Sequence, residues 1–115
     1  MHEASITQSV IDTVLNALKS EDIQDTVIAV NIMVGVSQGI VPESMKMFFD
    51  MQKPDTPLEN SELVVSVQRM EAHCPQCDTD HELDIPVLFC PACGTTMTLT
   101  KGNEIQVTSI EVEDK

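Results

Sequence analysis

Cys74 and Cys77 form one C-x2-C pair and Cys90 and Cys93 a second, with twelve residues between the pairs. Each pair can clamp a metal ion from a tight turn, and two pairs complete a tetrahedral shell of thiolates. This spacing is that of a structural zinc ribbon. Rubredoxin-type iron knuckles share it, so the spacing alone does not separate the two metals. The chain shows no other redox feature, which favours zinc. A closed four-sulfur shell leaves no position for a bound water, so hydrolysis at this ion is not expected.

A second group of donors stands at the start of the chain, "MHE". Met1 offers an α-amino group, His2 a backbone nitrogen and an imidazole. These three nitrogens can form fused chelate rings in one plane, an arrangement that suits Ni(II) or Cu(II) better than zinc. Glu3 adds an oxygen donor. Taken alone the signal is weak, because terminal residues are usually frayed and their identity matters little.

The two remaining histidines, His73 and His81, lie beside or between the cysteine pairs. With the shell complete in cysteine they read as surface residues or as partners of the ligands, although either could be presented to a second metal. "CPQC" and "CPAC" resemble redox dithiols but lack a thioredoxin-like βαβ setting. A zinc deaminase needs H-x-E ahead of P-C-x-x-C, whereas His81 and Glu82 are adjacent here.

Charge narrows the partners. There are 19 acidic residues against 6 basic, a formal net charge of −13. Residues 71–101 alone carry five acids, one base and a single aromatic, Phe89. Neither phosphate contacts nor base stacking are provided for, so nucleic acid is not an expected ligand. No run of 18 apolar residues is present to span a membrane, and the start lacks the basic and apolar regions of a signal peptide. A cytoplasmic protein is expected, where cysteines more often hold metal than form disulfides.

The elements that must position these groups follow from periodicity. Residues 5–20 carry Ile6, Val10, Ile11, Val14, Leu15 and Leu18 on one helical stripe. Ser5 with Gln8 resembles a capping box, which would start the helix near Ser5 and leave Met1 and His2 ahead of it. Ile28, Val30, Ile32 and Val34 alternate with Val27, Ala29 and Met33, the pattern of a central strand covered on both sides. Pro42 opens a second helix, "PESMKMFFDMQ", with Met45, Phe48 and Phe49 facing inward. "KPDTPLENS" reads as a loop. "ELVVSVQRM" alternates as a strand with Leu63, Val65 and Val67 inward. In "NEIQVTSIEV" the apolar phase changes between Val107 and Ile110, which implies either a bulge near Thr108 or Ser109 or two partly covered faces. The fold class is α+β: a three-stranded sheet with two helices plus a zinc-ribbon-like four-cysteine insert, in the order helix, strand, helix, strand, insert, strand. Residues 1–70 with 102–115 would form an α/β domain, and residues 71–101 the metal insert.

The "MHEASI" start, "VPES" at 41–44, the two C-P-x-C knuckles and "KGNEIQVTSIEV" together resemble the HypA/HybF family of hydrogenase nickel-incorporation proteins, in order and over essentially the whole chain. The resemblance implies that His2 binds nickel. It implies that Glu3 tunes the site or the choice of partner, and that Cys74, Cys77, Cys90 and Cys93 hold zinc. It further implies the family fold, a three-stranded sheet with two helices and a zinc domain. Two departures stand out. Val36, Ser37 and Gln38 follow Gly35 where the family commonly has Glu, Leu and Ser, so an acidic helper is missing from that turn. Asp78 follows the first knuckle where glycine is frequent.

The expected function is that of a nickel metallochaperone, not an enzyme. It would carry Ni(II) to the large subunit of a [NiFe]-hydrogenase, as a monomer or weak homodimer, and the resemblance implies a HypB-type GTPase as its helper. A zinc-ribbon adaptor that binds proteins but no second metal, and a dithiol redox protein, are the competing classes. The first predicts one metal per chain; the second predicts cysteines that cycle without metal.

Overall fold

A computed structural model describes residues 2–113, His2 by its backbone alone. The elements in chain order are α1 (His2–Ser20), β1 (Val27–Gly35), a 3-10 turn (Val36–Gln38), α2 (Pro42–Gln52), β2 (Glu62–Gln68), β3 (Met70–Cys74), β4 (Thr79–Leu83), β5 (Thr98–Lys101) and β6 (Ile105–Val112). They form two three-stranded sheets, ordered β2-β1-β6 and β4-β3-β5. Two compact units result. The first comprises Met1–Ile32, Ile40–Ser66 and Gln106–Lys115; the second comprises Met33–Gly39 and Val67–Ile105.

In the first unit, α1 buries Thr7, Val10, Ile11, Val14 and Leu18, positions three and four apart that fall on one face. Full burial of an aliphatic side chain of this size contributes about 1.5–3 kcal/mol. The helix starts at His2, three residues earlier than the expected cap at Ser5. Ser5 and Gln8 lie inside it, and Gln8 spends its amide on Asp12 at 3.0 Å. The start is carried back because the buried stripe extends to Thr7, whose hydroxyl donates to the Glu3 carbonyl at 2.6 Å. Glu3 in the first turn also complements the helix dipole.

β1 is the middle strand, and Val27, Ala29, Val30, Ile32 and Val34 are buried from both of its faces, as its apolar alternation implies. Pro42 begins α2, where its missing N–H costs nothing. Met45 and Phe49 are fully buried and Phe48 is half-buried. α2 packs against α1, and Gln52 Nε2 donates to the Ala4 carbonyl at 3.3 Å. In β2, Leu63 is buried and Val65 half-buried, but Val67 is 49% exposed and not inward. β2 is an edge strand, and its alternation loses cover toward its end. The apolar phase of β6 does change as expected: Val107 and Ile110, three apart, line one cleft.

The run 62–70 is not one strand. It breaks at Arg69, and Met70 starts β3 in the other sheet. The insert builds this sheet for itself: β3 pairs antiparallel with β4 and with β5. The insert's core is small, consisting of Ala72, Cys74, Cys90 and Met97 with Leu83 and Leu88 against it. Two of its four buried side chains are cysteines, so a metal on the sulfurs would replace much of the apolar burial the insert lacks.

Candidate metal centre

The two knuckles are built alike. The first fills the turn between β3 and β4, where the Asp78 amide donates to the Cys74 carbonyl at 2.8 Å. In the second, the Gly94 amide donates to the Cys90 carbonyl at 2.8 Å, and the Cys90 amide donates to the Thr95 carbonyl at 2.8 Å. Each turn ends in a left-handed residue straight after its second cysteine: Asp78 with φ 54 and Gly94 with φ 77. Aspartate tolerates this region better than most residues, so the turn forms without a glycine at this position.

The four Sγ atoms converge to within 4.8 Å of one another, and Cys74 and Cys93 approach to 3.6 Å. A tetrahedral ion with metal–sulfur bonds of about 2.3 Å needs sulfurs roughly 3.8 Å apart. The cluster fits such an ion with little adjustment. Convergence of all four on one point is what a metal needs and what two independent dithiols do not. Cys74 and Cys90 are buried, while Cys77 and Cys93 face solvent. The Cys77 amide points at Cys74 Sγ at 3.4 Å, a bond that stabilises a thiolate.

The sulfurs are electrostatically unequal. Cys93 is lowered to about 6 by its hydrogen bonds to the side chain and backbone of Thr95, with help from Cys77. Cys77 is raised to about 12, first by its hydrogen bond with Cys93 and then by desolvation. One sulfur ionises readily, and its charge holds the proton on its neighbour. Thr95 was not singled out by the sequence; a threonine two residues past a cysteine is too common a pattern to mark it.

Both histidines lie outside the four-sulfur cluster. His73, on β3, is flanked by Asp80 (Nδ1 to Oδ1, 2.8 Å) and Asp78 (Nε2 to Oδ1, 3.3 Å). The first contact follows from register, since His73 and Asp80 are cross-strand partners. His81 Nε2 is 3.0 Å from Thr79 Oγ1 and 3.8 Å from Cys90 Sγ, within reach of a bond to that sulfur.

Of the terminal donors, Met1 and the side chain of His2 lie outside the described residues. His2 is the first residue of α1. Glu3 is half-buried, and its Oε2 lies 3.4 Å from the Val41 amide that precedes α2. Another set of bonds ties the second unit together at the turn after β1. The Ser37 amide and hydroxyl both donate to the Gly102 carbonyl, at 3.0 and 2.8 Å, and Gln38 donates to the Asn103 carbonyl.

No helix among the described residues is long and apolar enough to cross a membrane. The family model for hydrogenase/urease nickel incorporation, metallochaperone, HypA matches residues 1–112. The hydrogenase maturation factor HypA of Caldanaerobacter subterraneus subsp. tengcongensis is 34% identical over 98% of this chain and 100% of its own. That of Streptomyces avermitilis is 34% identical over 99% and 88%. That of Aquifex aeolicus is 30% identical over 98% of each. In fold, the chain is similar to the solution structure of the Ni metallochaperone HypA from Helicobacter pylori, with a TM-score of 0.68 at 19% identity over the whole of both chains.

Proposed function

We propose that this chain, which belongs to the HypA family of hydrogenase/urease nickel-incorporation metallochaperones, binds Ni(II) at its N-terminus and releases it during assembly of a [NiFe]-hydrogenase. The observation that carries this reading is the family match itself: it begins at residue 1 and so takes in the "MHE" start together with all four cysteines. The ligands proposed for nickel are the Met1 amine, the backbone nitrogen and imidazole of His2, and the Glu3 carboxylate.

The start of α1 at His2 supports this set. The first amides of a helix have no acceptor within it. The His2 nitrogen is therefore not committed to the helix ladder and can take part in a planar chelate. A delivery site must also exchange its metal, and one built on terminal residues is open to a recipient in a way a closed thiolate cage is not. We assign zinc to Cys74, Cys77, Cys90 and Cys93, where four thiolates in a closed shell suit a structural ion. Nickel binding falls to the α/β part of the chain, residues 1–70 with 102–115, and zinc to residues 71–101.

The recipient is the hydrogenase large subunit, and a HypB-type GTPase assists loading or release. The protein acts in the cytoplasm, as a monomer or weak homodimer, and performs no catalysis of its own. Metal analysis of the untagged protein tests the reading. One zinc per chain is expected throughout, with one nickel added on incubation with Ni(II) and lost in His2→Ala. A protein that takes up zinc only would be an adaptor and would overturn it.

A further inference from the structure

We propose that the outer edge of β6, with the cleft between β6 and α1, is a docking site for an extended, basic peptide segment of a partner protein, which adds to the sheet as a fourth strand. Three observations converge on this edge. First, β6 is terminal in the order β2-β1-β6, and among the described residues it pairs with β1 alone. None of its eight residues is buried. An edge strand of this length left uncovered is a template for strand addition. Second, a cleft of about 380 Å³ runs beside it. Its lining includes Val14, Ala17 and Ile23 on the α1 side and Val107 and Ile110 on the strand. A strand laid along β6 would direct alternate side chains toward this cleft, which takes apolar ones. Third, the surroundings are acidic. Glu21 lines the cleft, residues 106–113 contain Glu111 and Glu113, and that stretch has no base at all.

The charge selects the occupant. A second copy of this chain would bring another net charge of −13 and the same glutamates, Glu111 and Glu113, to the edge. Self-pairing is therefore opposed, while a segment that alternates apolar residues with Lys or Arg is favoured. The site makes no use of Met1, His2 or the cysteines, so it stands apart from the nickel reading.

The test is an amide NMR titration of the zinc-loaded protein with a blocked peptide as long as β6 that alternates valine and lysine. Shift changes are expected in residues 105–113 and 13–23. Methylating the backbone nitrogens of alternate peptide residues removes strand hydrogen bonds and should weaken binding about ten-fold or more. A valine–glutamate peptide should not bind, Glu21→Lys should weaken binding several-fold, and His2→Ala should leave it unchanged. Equal binding of the methylated or the glutamate peptide would overturn the proposal, as would shifts confined to other surfaces. A dimer paired through β6 in the absence of peptide would overturn it too, by assigning the edge to a second copy.

Discussion

Gly35 approaches Gly102 so closely that a methyl group on the first would overlap the carbonyl of the second. Both residues are buried, and both belong to the second unit. The approach lets the Gly35 amide donate to the Glu104 carbonyl at 2.7 Å and Ser37 bond to Gly102. These bonds tie the end of β1 and the turn after it to the stretch around Gly102 within the second unit.

Gly35→Ala should therefore destabilise the protein by at least about 2 kcal/mol, through overlap with backbone that has nowhere to move. Gly102→Ala should do the same for a further reason: its φ is 94, and a Cβ there would lie 2.6 Å from the Met70 Cα. Thermal melts of the two variants check this. Gly39→Ala is a control, since its Cβ would meet nothing within 4 Å, and it should cost only the strain of a positive φ.

Much of this architecture was legible in the sequence, and the exceptions have physical causes. The α1 stripe and the doubly buried β1 follow from period alone. So does the four-sulfur site, because C-x2-C spacing is itself a geometric constraint. Ser5 and Gln8 mimic a cap, whereas the helix starts at His2 and its buried stripe runs back to Thr7. The insert's own sheet was hidden because its strands are short and their exposed positions carry charge, as in Thr79–Leu83. The Gly35–Gly102 approach joins residues far apart in the chain, which no local pattern reports.

Cys90→Ala should lose the bound zinc and unfold at least residues 71–101. The insert's buried core is Ala72, Cys74, Cys90 and Met97, too little to fold without the ion. Amide spectra and zinc analysis decide the matter; a variant that keeps its zinc and an unchanged spectrum would contradict it.

Zinc affinity should fall as pH falls. Thiolates bind the metal and thiols do not. With Cys77 raised to about 12, it is protonated throughout the neutral range and must release that proton when the ion enters. This group alone makes affinity fall about ten-fold per pH unit. Below about 6, protonation of Cys93 steepens the loss. Competition with a chromophoric chelator across a pH series measures the slope; a flat profile would contradict the assignment.

His2→Ala should abolish nickel uptake, keep the zinc and leave the melting temperature within a few degrees. Alanine is a good helix former, so the first turn of α1 loses no propensity. Calorimetric nickel titration beside a thermal melt separates the two effects. Normal nickel binding by this variant would move the site elsewhere, with His73 and His81 the first residues to test.

The most direct measurement concerns the chain end itself. If the Met1 amine is a ligand, residues added before it turn an amine into an amide, which binds only after losing a proton. The chelate must then be rebuilt with different rings, although the imidazole of His2 is still present. Nickel calorimetry on the native protein and on one with two extra N-terminal residues, at equal pH, should show affinity reduced about ten-fold or more by the extension, with zinc content unchanged. Equal nickel affinity in the two proteins would contradict the account and exclude the terminal amine from the site.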